Sequence, residues 1–247
     1  MVQQAAERMA KAPFITFEGG EGAGKSTQIR RLAARLRTLG IDAVMTREPG
    51  GSPKAERIRA LLLSGAAKRF GTLAEAVLFS AARIDHIDTL IAPALARGTW
   101  VLCDRFIDST RVYQGASGDV DPRQIAILER AVAGDIMPDL TFILDLPPEV
   151  GLARAVARAG TETASDRFEA EGLTFHETLR AAFLAIAATE PSRCVVIDAR
   201  GDEDVVEKAI WGAVVDRLQV PEAALASAAS ARAVDDEDGQ RGRRVTT

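Results

Sequence analysis

The chain has 247 residues, of which 47% are apolar and 27% are charged, and its formal net charge at pH 7 is −4. This length predicts one large domain or two small ones, with a core that needs neither disulfide nor metal. The slightly acidic balance argues against a strongly basic surface for nucleic acid.

The two cysteines, Cys103 and Cys194, each lie inside a short apolar run. We therefore interpret them as buried thiols in a reducing compartment rather than as a disulfide. No apolar stretch approaches the roughly 18 residues that span a bilayer. The polar N-terminal residues also lack the apolar centre of a signal peptide. We expect a soluble cytoplasmic protein that binds neither membrane nor nucleic acid.

Short apolar runs, several ending in an acid, predict strands that are buried on both faces of a parallel sheet, with helical patterns between them. This alternation predicts an α/β layered sheet with ligands outside the carboxyl ends of its strands. In chain order the predicted elements are strand 14–18, helix 25–39, strand 42–46, helix 72–97, strand 100–104, helix 122–133, strand 140–146, helices 148–159 and 173–189, strand 194–198 and helix 203–218.

The two ends of the chain do not follow this alternation. Residues 1–12 predict a flexible N-terminal extension. Residues 221–247 begin with proline and continue in small and charged residues, which predicts a disordered tail. One domain, 13–220, is therefore expected to carry the chemistry.

The stretch after the first predicted strand has the P-loop pattern G-x-x-x-x-G-K-[ST] and leads directly into a predicted helix. That context argues against a chance glycine-rich turn. In such loops backbone N–H groups and the helix N-terminus hold phosphate, the lysine reaches the β- and γ-phosphates, and the hydroxyl ligates Mg²⁺. The expected ATP-binding residues are Gly19, Gly20, Glu21, Gly22, Ala23, Gly24, Lys25, Ser26 and Thr27, with Lys25 also catalytic and Ser26 on the metal.

Charged residues at two further strand ends narrow the class of P-loop protein. Arg47, in TREPGGS, follows the second strand, and Asp104 and Arg105, in DRFIDSTRVYQG, follow the third. Because arginine forks match phosphate oxygens, two of them beside a triphosphate site imply a phosphorylated acceptor. The chain has no Asn-Lys-x-Asp guanine reader of a GTPase, and a motor ATPase would normally be longer.

The segments FEGGEGAGKST, TREPGGS, FSAAR, DRFIDSTRVYQG and LDLPPEVGLARA together resemble the thymidylate kinase family, in the family's order, from about residue 14 to 215. The resemblance implies a P-loop nucleoside monophosphate kinase fold, with a five-stranded parallel sheet flanked by helices on both faces and a mobile lid. It implies Mg²⁺-dependent transfer of the γ-phosphoryl group of ATP to dTMP, giving dTDP and ADP for dTTP synthesis. It also implies a homodimer, to which the long helix 72–97 would contribute.

Roles for individual residues follow from the same resemblance. Arg47 and Arg105 would hold the 5′-phosphate of dTMP, with the catalytic Asp104 beside it near the metal. Glu21 would accept a hydrogen bond from the sugar 3′-hydroxyl rather than contact ATP with its side chain. Base and sugar would be lined further by Phe79, Arg83, Ser109, Thr110, Tyr113 and Gln114.

Two of these assignments have a physical reason in the sequence. Phe79 and Arg83 are four residues apart on a predicted helix and therefore share a face. The aromatic ring would stack on thymine and the guanidinium would bond a ring carbonyl; ordinary core and surface positions are the alternative. Tyr113 could place an aromatic wall against the 2′ position and so exclude ribose.

The candidate lid is 154–170, RAVARAGTETASDRFEA. Thymidylate kinases resemble one of two types, with an arginine either in the P-loop or in the lid. Gly22 stands where the first type has its arginine, so this chain resembles the lid type. We expect Arg158, and after it Arg167, to contact the transferred phosphate; Arg154 is the third basic residue of this segment.

Some residues and functions stay open from the sequence. Asp145 could be a metal-side acid, although a role in the turn after its strand is favoured, and Glu18 is similarly ambiguous. His86 and His176 do not have the neighbours of a zinc site, and we interpret them as packing or interface residues. Alternative functions are a related kinase for another deoxynucleotide or a deoxynucleoside, and a non-catalytic nucleotide-binding regulator.

Overall fold

A computed structural model describes residues 12–159, 171–218 and 220. The described chain contains a five-stranded sheet in the order β2-β3-β1-β4-β5, and all neighbouring strands are parallel. The strands are β1 (Phe14–Glu18), β2 (Ala43–Arg47), β3 (Trp100–Asp104), β4 (Leu140–Asp145) and β5 (Cys194–Asp198). The predicted parallel α/β sheet is confirmed, with strand boundaries that differ from the expected ones by at most one residue.

Helices connect consecutive strands of this sheet and follow the last one. They are α1 (Lys25–Thr38), α2 (Pro53–Leu63), α3 (Thr72–His86), α4 (Ala92–Ala96), α5 (Ile107–Thr110), α6 (Pro122–Ala133), α7 (Pro148–Ala159), α8 (Leu173–Thr189) and α9 (Glu203–Arg217). A 3-10 turn covers Lys68–Phe70, and π-helical turns cover Ile87–Ile91 and Arg111–Ala116. None of the described helices is both long and apolar enough to cross a bilayer.

The core lies on both faces of the sheet. Phe142 and Ile143 are consecutive in β4, so their side chains point to opposite faces. Phe142 belongs to the larger hydrophobic cluster, which includes residues of α1 and α9, whereas Ile143 packs with Phe183 of α8 in a smaller cluster. Burial on both faces explains why β1 is buried at all five positions and reads as a continuous apolar run.

Two helical regions differ from the sequence expectation. The predicted helix 72–97 is interrupted by the π-helical turn, directly before Pro93 in the first turn of α4. Proline has no N–H to donate to the preceding turn, so the regular α-helical ladder ends there. The helix α2 was not expected at all. Only Ala55 and Leu62 of it are buried, too few to give an apolar periodicity.

Candidate active site

The loop between β1 and α1 forms a cradle closed around its own lysine. Lys25 is buried, and its Nζ donates to the carbonyl oxygens of Gly19 and Gly20 at 3.2 and 2.8 Å. Burial and the neighbouring Arg105 charge lower the pKa of Lys25. Gly19 has φ +130°, and a Cβ there would lie 2.5 Å from the Leu144 carbonyl oxygen of β4. Glycine is therefore needed for the loop to approach the sheet.

The hydroxyl at the start of α1 meets the acid at the end of β3. Ser26 Oγ donates to Asp104 Oδ2 at 2.6 Å. This pair of oxygen ligands suits Mg²⁺, which is commonly held by one or two protein oxygens together with substrate phosphates and water. The described residues contain no group of three or more His, Cys, Asp or Glu side chains that could hold a metal by themselves.

The cradle also packs directly against α7 through two glycines. Gly22 has φ +67°, and a Cβ there would overlap the backbone of Gly151, beginning with its carbonyl oxygen. A Cβ on Gly151 would in turn overlap the carbonyl oxygen of Glu21. The absence of side chains at both positions lets two backbones touch. This contact joins the phosphate loop to the helix that enters the candidate lid.

Beside the cradle, Arg105 organises a half-buried cluster of polar side chains. It follows β3 with φ +68°, a left-handed conformation that non-glycine residues rarely adopt and that typically costs about 1–3 kcal/mol. Its guanidinium donates to Glu21 Oε1 at 2.5 Å, the Gly19 carbonyl at 3.1 Å and Ser109 Oγ at 3.3 Å. It also lies 5.1 Å from the centroid of the Tyr113 ring. Four predicted site residues therefore meet: Glu21, Arg105, Ser109 and Tyr113.

Glu21 leaves the phosphate loop in the direction of this cluster. Its Oε1 accepts from Arg105 and, at 3.3 Å, from the hydroxyl of Tyr113. Burial opposes ionisation of Glu21, but the charges of Arg105 and Lys25 outweigh it and hold its pKa at about 2. The side chain is thus an ionised acceptor directed at Arg105 and Tyr113, and the contact with a sugar 3′-hydroxyl that the resemblance implies stays a prediction.

Glu18, which the sequence left ambiguous, supports the turn that carries this cluster. Its carboxylate accepts hydrogen bonds from the backbone N–H of Phe106 at 2.8 Å and from Ser109 Oγ at 2.6 Å. Complete burial and the nearby charge of Asp108 raise the pKa of Glu18 to about 7. Glu18 therefore holds the backbone after Arg105.

Arg83 connects the long helix α3 to the same turn and to Glu48, in the TREPGGS segment after β2. Its Nε donates to Glu48 at 2.6 Å, and its Nη2 donates to the Phe106 carbonyl and to Thr110 Oγ1 at 3.1 and 3.0 Å. His86 links the other Glu48 oxygen, at 3.0 Å, to Thr46 Oγ1, at 2.7 Å. Glu48 and His86 are positioning residues whose contacts are all remote in sequence, so no local signal could have identified them.

Arg83 and its neighbours retain groups for a ligand. No partner within the described chain bonds Nη1 of Arg83, and this atom is not among the fully buried atoms that lack one. The side-chain amide of Gln114 likewise has no partner within the described chain and is not among the fully buried atoms that lack one. Phe79 is half-buried and belongs to none of the hydrophobic clusters formed by the described residues. These properties favour a role in binding over the core and surface alternatives.

Arg47 reaches the expected edge of the sheet but not the half-buried cluster. It pairs in register with Asp104, yet its side chain is 55% exposed and donates to Glu56 at 3.0 Å.

The carboxylate of Asp145, at the end of β4, is already paired, because Arg180 of α8 donates two hydrogen bonds to it, at 2.6 and 2.8 Å. Arg180 is a neighbour of the phosphate loop that the sequence analysis missed.

The candidate lid is described only at its beginning. Arg154 of α7 donates to the carbonyl of Ala199, after β5, at 3.2 Å. The side chain of Arg158 and the whole of Arg167 lie outside the described part of the chain. The expected roles of these two arginines stay predictions.

Comparisons with known proteins agree with this geometry. The family model described as thymidylate kinase matches residues 17–210. A thymidylate kinase of Nitrobacter winogradskyi is 60% identical over 211 residues, covering 85% of this chain and 91% of that protein. One of Caulobacter vibrioides is 60% identical over 210 residues, with 85% and 99% coverage. The crystal structure of thymidylate kinase from Ehrlichia chaffeensis has a TM-score of 0.67 at 33% identity, covering 82% of this chain and 98% of its own.

Proposed function

The chain belongs to the thymidylate kinase family, and on this premise we propose that it transfers the γ-phosphoryl group of ATP to dTMP, giving dTDP and ADP. The family uses ATP as co-substrate. One observation carries the assignment of the acceptor side: Glu21, a residue of the phosphate loop, turns into the Arg105–Tyr113 cluster. Donor and acceptor sites therefore share one loop, which suits direct transfer between two bound nucleotides.

On the donor side, backbone N–H groups of the loop and the N-terminus of α1 bind the triphosphate. Lys25, now bonded to the loop carbonyls, turns to the β- and γ-phosphates. Ser26 and Asp104 would hold Mg²⁺, which neutralises charge on the phosphates when it is bound. The lowered pKa of Lys25 reflects its burial, which the negative phosphates would offset.

On the acceptor side, Arg105 and Arg47 bind the 5′-phosphate of dTMP. Arg105 is preorganised by Glu21 and Ser109, whereas Arg47 exchanges Glu56 for the phosphate. Arg83 bonds thymine through Nη1, and Phe79 stacks on it. The phosphate of dTMP is largely a dianion at neutral pH, so its oxygen attacks without a strong general base. The remaining substrate-binding residues are Ser109, Thr110, Tyr113 and Gln114.

The transferred group needs positive charge and exclusion of water, which we assign to the lid with Arg158 and Arg167. Arg154 is less suited, since it is held by the Ala199 carbonyl.

A homodimer belongs to the same proposal. Leu73, Val77 and Ile84 are exposed apolar residues of α3 at positions i, i+4 and i+11, which gives one apolar stripe for a second copy. A cytoplasmic location is consistent with the free thiols of Cys103 and Cys194.

The test is a coupled ADP-release assay with dTMP, dUMP, dCMP, dGMP and thymidine as acceptors. We expect a clear preference for dTMP and little turnover of thymidine, because the nucleoside gives Arg105 and Arg47 no phosphate to bind. Equal rates with all four nucleotides would contradict the assignment.

Gel filtration of the wild type and of Val77→Glu tests the dimer, which the charged side chain should dissociate.

A further inference from the structure

His176, on α8, has an imidazole nitrogen with no partner in the described part of the chain. The residue is only 4% exposed, and its Nε2 is fully buried without a hydrogen bond. A buried polar atom in this state costs about 1–3 kcal/mol, so it requires an explanation. Gln28 Oε1 and Ser117 Oγ share this property, but only His176 belongs to the helix that covers the phosphate loop.

The face of α8 that carries His176 is directed at the site. His176, Arg180 and Phe183 are spaced i, i+4 and i+7 and therefore share one side of the helix. Arg180 and Phe183 line a small hollow together with Gly19 and Gly20 of the phosphate loop. Arg180 is fixed there by its two bonds to Asp145. His176 lies one turn earlier on the same face of the helix.

Aromatic contacts place His176 on the acceptor side of that loop. Its ring meets the Phe175 ring edge-on, with centroids 5.4 Å apart, and Phe175 meets Tyr113 at 6.3 Å. Tyr113 in turn donates to Glu21 at 3.3 Å. His176 also lies close enough to Glu21 to contribute to the lowering of the pKa of that carboxyl, although less than Arg105 and Lys25 do. Phe175 and Tyr113 thus connect His176 to Glu21.

We propose that His176 is a further acceptor-binding residue, which donates a hydrogen bond from Nε2–H to the 3′-hydroxyl oxygen of the dTMP sugar. The 3′-hydroxyl donates a hydrogen bond to Glu21 and accepts one on its oxygen from His176. The two side chains therefore complement each other, one as an ionised acceptor and the other as a donor. This inference rests on the proposed function, because it concerns the same acceptor.

The test removes the proposed hydrogen bond in two ways. One is substitution of His176, and the other is a nucleotide that lacks the 3′-hydroxyl. The kcat/KM of wild type, His176→Leu and His176→Gln is measured for dTMP and for its 3′-deoxy analogue. We expect His176→Leu to lose about 10-fold with dTMP and less than about twofold with the analogue, since a neutral hydrogen bond contributes about 1–1.5 kcal/mol. His176→Gln, whose amide can donate from a similar position, should restore most of the loss. KM for ATP should not change.

Controls separate this role from a structural one. Thr178→Ala alters an exposed residue of the same helix and should behave as wild type with both nucleotides. Equal losses with dTMP and the analogue, or no loss with either, would overturn the inference.

If His176→Leu does not fold, the wild type decides by ¹⁵N NMR: the Nε2 resonance must shift with dTMP and not with the analogue. A wild type that phosphorylates no nucleotide would instead refute the proposed function.

Discussion

The two halves of the active site hold their charged groups in different ways. On the donor side, Lys25 bonds only to carbonyls of its own loop, and Ser26 and Asp104 bond to each other. On the acceptor side, the half-buried Arg105 and the buried Arg83 belong to networks built from four segments of the chain. Under the proposed function, the donor half would recognise phosphate mainly with backbone, while the acceptor half would recognise a particular nucleotide with preorganised side chains. Variants should therefore affect one substrate without the other.

The largest effect is expected for Arg105→Lys. Lysine keeps the charge but cannot bond Glu21, Gly19 and a phosphate at once with a planar fork. We expect kcat/KM for dTMP to fall about 10³-fold, with KM for ATP changed less than about threefold. Steady-state kinetics with each substrate varied in turn checks this. A comparable loss of ATP affinity would show that the two halves are not separable.

The acceptor half should also carry an unusual pH dependence of stability. Because the pKa of Glu18 is about 7 in the fold and near 4.5 in the unfolded chain, the folded state keeps a proton that the unfolded state releases between these values. The free energy of unfolding should therefore fall by about 3 kcal/mol from pH 4.5 to 7, relative to Glu18→Gln. Urea denaturation of both proteins across this range measures the difference, and parallel curves would contradict it.

A lid variant probes the space between the two halves. Arg158→Ala should lower kcat about 10²-fold and leave ATP affinity nearly intact, because charge on the transferred phosphate matters only in the transition state. Arg154→Ala is the matched control, since Arg154 is bonded to the Ala199 carbonyl. The control should retain most of its turnover. Unchanged turnover in Arg158→Ala would remove that residue from the mechanism.

The smallest effect is expected for Glu21→Ala. Glu21 lies in the donor loop, but its side chain is directed at the acceptor cluster. Loss of its hydrogen bond should raise KM for dTMP about 10-fold, with little change for ATP. Isothermal titration with each nucleotide provides an independent measure. Weaker ATP binding with unchanged dTMP binding would place Glu21 in the donor half.

Features that depend on neighbours in sequence could be predicted. The phosphate loop is contiguous, and strands such as β1 and β3 are buried on both faces, so each leaves a local pattern. The helix α2 leaves none, because it buries only two residues. The Glu48–His86–Thr46 chain and the unpaired nitrogen of His176 arise from packing between remote segments. Composition and periodicity contain no information about such contacts.

The contact between Gly22 and Gly151 has a consequence for how this enzyme can change. A side chain at either position would need the space that the other backbone occupies. An arginine therefore cannot be grafted into the phosphate loop by one substitution, because α7 would have to move first. The two positions therefore constrain each other's substitutions in this chain.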